Sequence, residues 1–522
     1  MKAFLMYRNH DFDLQRKLPQ SEQALTQDLD LNTLFTAMSL GDAFLFEVAR
    51  KVVLSGVSDL DTILYRQNIL KDSLKNRSII QDIYNITTEA IEGEKKIYSG
   101  IFGAYPDAIL NRSMKAMHLF AGSLKKLKEV ADECAVAFES EGFAAFFAML
   151  RKELGDEYLA GIQDHLRELE FRDGVLISAE LGRGNKGDHY TLRRAQDKKQ
   201  SWMKRIAARK PPVYTIAISD RDESGARTLS ELKGKGINLV ADTFAQSAEH
   251  ILNFFKMLRT ELAFYVGCLN LHRQLDQKGE PMSFPLPVAP SERRHSFRGL
   301  YDVCLAVRVK QRIVGNDLDA DDKDLVVVTG ANQGGKSTFL RSIGLSQLMM
   351  QCGMFAPAES FCASVCAALF THYKREEDAT MNSGKFDEEL SRMSGIADTM
   401  SANSMLLFNE SFAATNEREG SEIARQITCA LLDRRIKVFF VTHLYEFAYG
   451  LYGKDMKNAI FLRAERQADG GRTFRVREGK PLQTSHGEDL YHRIFGMIPS
   501  AAPATSADKN MDASAPATSG ND

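Results

Sequence analysis

The feature that most constrains the fold of this chain is the apolar run Leu325–Thr329, followed at once by Gly330-Ala-Asn-Gln-Gly-Gly-Lys-Ser-Thr338. The pattern G-x-x-x-x-G-K-[ST] after an apolar run predicts a buried strand, a phosphate-binding loop and a helix in succession. Glycines let backbone N–H groups surround a phosphate, and the positive end of the helix dipole points at the same anion. A chance glycine turn before a helix is the alternative interpretation.

The polar residues of this loop fit the chemistry of a triphosphate. The Lys336 side chain is long enough to reach the β- and γ-phosphates, and the Ser337 hydroxyl is a ligand for Mg²⁺. The sequence therefore predicts a nucleotide site at the start of a helix running from Lys336 to about Met350. Its expected lining is Gly330, Gly334, Gly335, Lys336, Ser337 and Thr338.

Hydrolysis needs a metal anchor and a group that orients the attacking water. The segment Ser404–Glu410 predicts a central strand that ends in Asn409 and Glu410, at the sheet edge where ligands lie. We interpret Glu410 as the water-orienting base and Asn409 as the residue at the position where Asp usually holds Mg²⁺. Because an amide adds no negative charge, we expect weaker Mg²⁺ binding or slower turnover. A turn that merely ends the strand is the alternative.

Two other segments carry candidate phosphate contacts. The predicted strand Val438–Val441 ends in Thr442 and His443, and His443 either contacts the γ-phosphate or caps the strand. Ser383 precedes an acidic segment and is a good N-cap for a helix. Such a helix start can receive a γ-phosphate from a second subunit, or it can be an ordinary capped surface helix.

Hydrophobic periodicity divides the chain into a helical part and a later α/β part. Apolar residues three and four apart predict stacked helices over about 26–172, and a further long helix over about 243–277. Short strand patterns interrupted by Gly and Pro lie between them, and prolines predict a linker at 278–291. The predicted strands are 174–178, 190–192 and 212–218.

Composition indicates the compartment of the protein and the kinds of partner that it can contact. The chain has 522 residues, a net charge of −2 and seven scattered cysteines without a C-x-x-C spacing. We find no signal-peptide pattern and no apolar run of about 18 residues, the length that a membrane span needs. We expect a cytoplasmic protein that does not enter a membrane and that contacts nucleic acid through a local basic patch.

Several short motifs together resemble those of the MutS-family ATPases. The loop Thr329–Thr338 resembles T-G-P-N-x-x-G-K-S-T, with Ala331 at the position of the proline. Asn409-Glu410, with Thr415 and Gly420, is similar to the element D-E-x-x-R-G-T-x-x-x-x-G. Three further segments are similar to the G-x-x-V-P-A, T-H and N-D motifs of the family: Met349–Ala358, Phe440–His443 and Asn316–Asp317.

The resemblance implies a multidomain protein that uses ATP and Mg²⁺. It would have an α-helical lever region over 1–280, with a basic strand-containing insertion at about 174–220. An ABC-type α/β P-loop ATPase domain would follow over 281–498, and a disordered tail over 499–522. Such ATPases act as dimers in which ATP lies between one phosphate loop and the partner's signature helix. ATP binding and hydrolysis then move levers that clamp DNA.

The resemblance also implies roles for single residues. Lys336 would neutralise phosphate charge, Glu410 would orient water and His443 would sense the γ-phosphate. Asn332 would lie near the nucleotide. Ser383 is the candidate for the contact in trans, although the family's Ser-x-Phe spacing falls on Gly384.

Besides Ala331, this sequence departs from the family pattern in three ways. Asn409 replaces Asp, and Ala413-Ala414 replaces Arg-Gly, which removes a cation near the expected dimer interface. The chain starts almost directly with lever-like helices, so we expect a MutS-like protein lacking the N-terminal mismatch-recognition domain. Mismatch recognition therefore does not follow from the resemblance.

The densest basic stretch of the chain falls inside the predicted insertion. Lysines and arginines there can contact DNA phosphates without reading sequence, although a solvated charged loop is the alternative. The DNA-binding candidates are Arg193, Arg194, Lys198, Lys199, Lys204 and Arg205.

Three hypotheses remain open on the sequence. The first is an ATP-dependent DNA-binding homodimer of the MutS family that clamps DNA in repair or recombination. The second is an ATP-driven switch or scaffold of the same fold that binds a protein or RNA partner. The third is a weakly hydrolysing nucleotide switch, in which Asn409 shifts the balance from turnover to binding.

Overall fold

The computed structural model describes residues 1–99, 105–171, 174–193, 214–219, 221–331, 333–375, 384–467 and 472–482. Within these ranges, a region of stacked helices precedes a region of mixed helices and strands, as the sequence predicts. None of the described helices is long and apolar enough to cross a membrane.

The helical region consists of amphipathic helices that pack around one long helix, α9. Their apolar faces form a continuous core that includes Phe120, Phe143 and Phe255. Helix α9 packs along α5 and α6 and also contacts α2 and α3. The helices are α1 (Glu22–Asp28), α2 (Leu31–Ser39), α3 (Ala43–Leu54), α4 (Leu60–Lys75), α5 (Arg77–Tyr98), α6 (Pro106–Cys134), α7 (Glu141–Glu153), α8 (Asp156–Leu169) and α9 (Glu223–Gln277).

Helix α9 begins at Glu223, twenty residues before the predicted start at Thr243, so the predicted boundary is wrong. The early part contains Gly234 and Gly236, which usually weaken a helix. Both glycines are buried. A Cβ on Gly236 would lie only 2.5 Å from the Ile177 side chain, whereas one on Gly234 would lie at an ordinary contact distance of 3.6 Å from Pro106. Close packing against Ile177 of the hairpin described below therefore explains Gly236.

The predicted insertion contains an antiparallel hairpin of β1 (Leu176–Leu181) and β2 (Gly187–Arg193). The hairpin packs on the first half of α9 and exposes most of its residues. The sequence pattern predicts a third strand at 212–218, but the described part of that segment, 214–219, is irregular and exposed. Its alternating Val, Tyr and Ile pattern has no neighbouring strand to pair with among the described residues.

The α/β region contains two sheets with helices between and around them. Its helices are α10 (Val303–Arg308), α11 (Lys336–Gln351), α12 (Lys385–Thr399), α13 (Glu417–Asp433) and α14 (Tyr445–Tyr452). Its strands are β3 (Leu286–Val288), β4 (His295–Leu300), β5 (Asn316–Asp319), β6 (Leu325–Thr329), β7 (Ser360–Ser364), β8 (Leu369–Tyr373), β9 (Met405–Asn409), β10 (Lys437–Val441), β11 (Ala459–Arg466) and β12 (Arg472–Glu478).

The larger sheet has the strand order β12-β11-β6-β10-β9-β8. Strands β6, β8, β9, β10 and β11 run parallel, and β12 pairs antiparallel with β11 at the edge. In this register Val441 lies beside both Asn409 and Val328, so three strands end at the same level. Polar residues that follow these strands therefore meet at one edge of the sheet.

The smaller sheet has the order β3-β7-β4-β5. Residues 278–291 contribute to it, so the predicted linker is wrong. Instead of a linker, this stretch contributes β3, which pairs in parallel with β7, and a bridge from Ser283 to Ala356. Prolines fit here because β3 is an edge strand, where a missing N–H leaves no central hydrogen bond unmade.

Helix α11 connects the phosphate loop to the helical region. At its end the Gln351 side chain donates to the Val57 carbonyl at 3.1 Å, and the Val57 N–H donates to the Gln351 carbonyl at 3.0 Å. Gly353, just beyond, is close to Arg66 of α4, because a Cβ there would lie 2.4 Å from the Arg66 Cβ. The two regions are thus joined directly through the helix that starts at the phosphate loop.

Candidate nucleotide site

The loop between β6 and α11 wraps around the Lys336 ammonium group. Gly330 and Gly335 adopt φ values of 113° and 87°, in the left-handed region that favours glycine. Lys336 is buried, and its Nζ donates to the carbonyl oxygens of Gly330 at 2.9 Å and Ala331 at 3.0 Å. Burial lowers the pKa of Lys336, and Glu410 opposes the shift. An anion beside this lysine would favour its charged form.

Ser337 and Asn409 come together at the carboxyl ends of β6 and β9. The Ser337 hydroxyl donates to the side-chain Oδ1 of Asn409 at 3.0 Å, and the backbone carbonyl of Asn409 accepts the Lys374 N–H at 2.9 Å. Two uncharged oxygen donors thus lie side by side at the start of α11. This donor set is compatible with Mg²⁺, which prefers oxygen ligands and retains several waters, but it lacks the carboxylate that usually completes such sites.

Glu410 follows Asn409 in an unusual backbone conformation, with φ of 54°. Its N–H donates to the Val441 carbonyl at 2.9 Å, so the turn is tied to the neighbouring strand. Glu410 and the phosphate loop line the same cavity, which has a volume of about 510 Å³. The sequence-predicted residues that line it are Gly334, Gly335, Lys336, Ser337, Thr338 and Glu410.

The rest of the cavity lining contains apolar residues that the sequence motifs do not indicate, together with polar ones such as Gln311 and Arg312. Phe474 of β12 lies over the phosphate loop, since a Cβ on Gly335 would be 3.5 Å from its ring. Asn316 holds this strand by accepting the Val476 N–H at 2.7 Å and donating to the Phe474 carbonyl at 3.3 Å. The wall continues through Leu305, Val309, Ile313 and Val314.

A sequence signal for Phe474 exists, although it is weak. Phe474 lies between Thr473 and Arg475 in an exposed edge strand, has φ of 58° and is 49% exposed. An exposed aromatic ring offers an apolar surface to a partner or a ligand. The sequence does not reveal which, because Phe474 is far from Lys336 along the chain and the strand order is not encoded locally.

The remaining predicted residues are placed differently. His443 is exposed and lies outside the cavity lining, just after the buried Thr442. Asn332 and Ser383 lie outside the described residues, so their predicted contacts with a nucleotide stay predictions. Helix α12 begins at Lys385 with Gly384 as its N-cap, so the predicted N-cap at Ser383 is wrong by one residue.

Of the DNA-binding candidates, only Arg193 lies in the described part of the chain. It is exposed at the end of β2, and its Nε donates to the Ser178 hydroxyl at 2.9 Å. The others lie outside the described residues: Arg194, Lys198, Lys199, Lys204 and Arg205.

Comparison with protein families matches both regions of the chain. The MutS2 N-terminal domain matches residues 58–278, which cover most of the helical region, and MutS domain V matches residues 326–487, which contain the phosphate loop, Glu410 and Phe474. This chain belongs to the MutS family. The match to domain V agrees with the arrangement of the parallel strands around the loop, and the first match extends the family relationship to the helices.

Individual relatives match parts of this chain. The DNA mismatch repair protein MutS of Thermotoga maritima is 34% identical over 165 residues, which are 31% of this chain and 21% of that protein. The protein of the same name from Petrotoga mobilis is 24% identical over 415 residues, 76% of this chain and 48% of that protein. MutS protein homolog 4 of Mus musculus is 28% identical over 152 residues, 29% of this chain and 16% of that protein. The chain therefore spans about half of the length of the Petrotoga relative and less of the others.

Proposed function

We propose that this protein is a Mg²⁺-dependent ATPase that couples nucleotide binding and hydrolysis to binding of DNA. The observation that supports the proposal most strongly is the cavity at the head of α11. There, Lys336, Ser337 and Glu410 line the polar side, and Phe474 lies on the apolar side. A site with a cationic phosphate loop, a carboxylate and an aromatic wall suits a purine nucleoside triphosphate.

The polar side of the cavity is suited to the triphosphate. Lys336 would leave the Gly330 and Ala331 carbonyls and turn to the phosphates, with the N–H groups at the start of α11. Ser337 and Asn409 would hold Mg²⁺, which neutralises phosphate charge as the γ-phosphoryl group is transferred. Glu410 would accept a proton from, or orient, the attacking water.

The apolar side of the cavity is suited to the base and sugar. An exposed phenyl ring offers a flat surface on which a purine can stack, and Asn316 fixes the strand at the Phe474 carbonyl and the Val476 N–H. Ile313 and Val314 offer apolar contacts from the segment before β5. The proposed substrate is ATP, and the cavity wall sets its orientation.

The helical region supplies the proposed DNA contact. Arg183, Lys186 and Arg193 are exposed on the β1–β2 hairpin, next to the basic stretch predicted from the sequence. Lys235 of α9 lies over the Tyr190 ring at 5.5 Å, which places a further cation beside the hairpin. We propose that these cations contact DNA phosphates and that α11, through Gln351 and Val57, links them to the nucleotide site.

A homodimer is part of the proposal. Family members of this type share each nucleotide between two ATPase domains, and here α12 would face the partner's nucleotide, with Ser383 as the predicted contact. His443 would sense the γ-phosphate once the dimer closes. The relatives' names support a role in mismatch repair or a related DNA transaction, and the choice among these stays open to experiment.

One experiment separates DNA from other partners. The ATPase rate of the full chain would be measured without DNA and with duplex, mismatched and junction DNA at equal nucleotide concentration. We expect stimulation by at least one DNA. Equal rates in all four reactions would contradict DNA coupling and favour a protein or RNA partner.

The Asn409→Asp variant tests whether this chain is a slow nucleotide switch. A carboxylate beside Ser337 adds a negative charge to the metal site, so we expect tighter Mg²⁺ binding and a kcat increase of roughly threefold or more. An unchanged kcat would mean that the missing carboxylate does not limit turnover. The Asn416→Asp variant, which changes the N-cap of α13 outside the cavity, is the matched control.

A further inference from the structure

The turn that carries Glu410 holds two residues in a costly backbone conformation. Glu410 has φ of 54° and Phe412 has φ of 62°, and neither is glycine. Non-glycine residues in this region persist only where surrounding contacts fix them, and such strain is typical of functional sites. The contacts that fix this turn are therefore part of how Glu410 reaches the cavity.

The first contact is a buried pair between Ser411 and His372. The Ser411 hydroxyl oxygen lies 2.8 Å from the His372 Nδ1 and 2.5 Å from the His372 carbonyl oxygen. The other ring nitrogen, Nε2, lies 3.0 Å from the carbonyl of Glu389 in α12. Because a carbonyl only accepts, the Ser411 hydroxyl donates its one proton to the His372 carbonyl, and the ring proton on Nε2 is donated to the Glu389 carbonyl, which leaves Nδ1 beside the Ser411 oxygen.

The charge state of His372 agrees with this assignment. Burial lowers the pKa of His372 to about 3, and the nearby guanidinium of Arg392 contributes to the same shift. The imidazole is therefore neutral at physiological pH and carries one proton. His372 links β8, the turn after β9 and helix α12 without changing charge.

The second contact joins the turn to α12 through the Glu389 side chain. Its Oε2 accepts the Phe412 N–H at 3.0 Å, and Glu389 is only 3% exposed. The Phe412 ring stacks on the His372 ring, with centroids 5.3 Å apart and planes at 18°. On the other side, a Cβ on Gly420 would lie 2.3 Å from the Phe412 carbonyl, so glycine lets α13 approach the turn.

We propose that His372, Ser411 and Glu389 are positioning residues that hold Glu410 in its catalytic orientation and make that orientation depend on helix α12. The proposal rests on the ATPase function proposed above. None of the three lines the nucleotide cavity, so each acts through the turn at 410–412. A movement of α12 by about 1 Å would break hydrogen bonds of this length and release the turn.

This arrangement predicts that α12 controls the rate of hydrolysis separately from nucleotide affinity. The groups that hold the triphosphate, Lys336 and Ser337, are attached to β6 and α11, and their hydrogen bonds go to the loop and to Asn409. Loosening the turn would therefore lower kcat while the phosphate loop keeps its shape. Displacing a catalytic group by about 1 Å can cost up to about a hundredfold in rate.

The test compares three variants of the full chain at neutral pH. In Glu389→Ala the acceptor for the Phe412 N–H is removed. In Glu389→Gln the amide oxygen restores it, and in Glu388→Ala a neighbouring carboxylate that pairs with Arg392 is removed as a control. We expect kcat to fall about tenfold or more in Glu389→Ala only, with the Kd for Mg-ATP within about twofold of the parent. Glu389→Gln should stay within about threefold of the parent kcat.

Several results would overturn the proposal. They are an unchanged kcat in Glu389→Ala, an equal loss in Glu388→Ala, no rescue by Glu389→Gln, or a loss of affinity that parallels the loss of rate. Ser411→Ala is the second variant if Glu389→Ala does not fold, and it should show the same separation of kcat from Kd. If the parent bound Mg-ATP without hydrolysing it, the ATPase function would be wrong and the catalytic part of this proposal with it.

Hydrogen exchange gives a readout that does not depend on hydrolysis. In the Glu389→Ala protein, amides in a peptide covering 409–416 should exchange faster than in the parent, while peptides covering α11 should not change. Equal exchange of the 409–416 peptide in parent and variant would show that Glu389 does not hold the turn, whatever the ATPase rates are.

Discussion

The nucleotide cavity and the β1–β2 hairpin are both formed by turns between regular elements, yet they are held in different ways. The turn at Glu410 is fixed by buried partners on two strands and two helices. The hairpin cations are exposed, and Leu181 beside them is 79% exposed. The proposed hydrolysis thus depends on a preorganised turn, whereas the proposed contact with a phosphate backbone needs only charge at the right place.

The largest expected effect is at the preorganised turn. In Glu410→Gln the carboxylate that we propose orients water is replaced by an amide of the same size, so we expect kcat to fall roughly a hundredfold or more. The Kd for Mg-ATP should change little, since in the proposal the phosphates are held by Lys336 and the loop. Steady-state hydrolysis and equilibrium nucleotide titration measure the two quantities, and Glu446→Gln on α14 serves as the control. A kcat near that of the parent would remove Glu410 from its role.

DNA binding by the hairpin should depend on salt concentration, because it would rest on charge rather than on precise geometry. The triple variant Arg183→Ala, Lys186→Ala, Arg193→Ala should weaken DNA binding roughly tenfold at moderate salt. The slope of log K against log salt should decrease in magnitude by about 0.9 for each DNA phosphate that the variant no longer neutralises. Hydrolysis without DNA should not change. Filter binding over a salt series measures the slope, and the pair Lys125→Ala, Lys126→Ala on α6 is the control. An unchanged slope would leave the hairpin as a solvated surface.

A smaller effect is expected at the apolar wall of the cavity. Phe474→Ala removes the proposed stacking surface, so the Kd for ATP should rise about three- to tenfold while kcat at saturation changes little. Phe474→Tyr keeps a flat ring and should bind as the parent does. Fluorescence titration with a nucleotide analogue is a suitable measurement. Equal affinity in the alanine variant would place the base elsewhere in the cavity.

The last two predictions concern the pH dependence of stability, which should have opposite signs at a buried carboxyl group of the helical region and a buried amine of the α/β region. Burial raises the pKa of Glu261 in α9 to about 7, although it accepts the Leu5 and Phe12 N–H groups. Its contribution to stability is fully present below the ordinary value of 4.5 and is lost as pH rises to about 7. Relative to Glu261→Gln, the parent should therefore lose roughly 1–2 kcal/mol of unfolding free energy between about pH 5 and 8.

Lys437 in β10 should show the opposite dependence. Burial lowers its pKa to about 7, and the nearby Arg293 contributes to the same shift. The contribution of Lys437 to stability is fully present above its ordinary pKa of 10.5 and is lost as the pH falls through about 7. Relative to Lys437→Met, the parent should gain roughly 1–2 kcal/mol between about pH 7 and 9.5. Urea unfolding at several pH values measures the unfolding free energy of the parent and of both variants. If the free energies of a variant and of the parent changed in parallel with pH, the pKa shift assigned to that residue would be wrong.

The sequence predicts the parts of the site that are local. Strand β6, the loop and helix α11 are continuous in sequence, and Asn409 ends an apolar strand, so pattern and motif locate them. Strand order and sheet edges are not local, and Phe474 reaches the loop only because β12 pairs antiparallel with β11. Likewise, nothing in the sequence around His372 indicates that its ring meets Ser411 and the Glu389 carbonyl from two other elements.

Errors in the helical region have a similar physical origin. The long helix predicted from about Thr243 begins at Glu223, and it continues through Gly236, where Ile177 packs closely against it. The alternating segment at 214–218 has strand propensity without a pairing partner in the described chain. Propensity describes a single segment, whereas a strand needs a neighbour and a helix tolerates glycine where another element packs closely.

The most direct test of a nucleotide site at the head of α11 is equilibrium titration of the full chain with ATP in the presence of Mg²⁺. We expect saturable binding at one nucleotide per chain in the parent and in Lys454→Ala, an exposed lysine far from the loop in sequence. In Lys336→Ala the affinity should fall about a hundredfold or more, because the cation that would pair with the phosphates is missing. Parent protein that takes up no adenine nucleotide, or Lys336→Ala protein that binds as the parent does, would contradict the central claim.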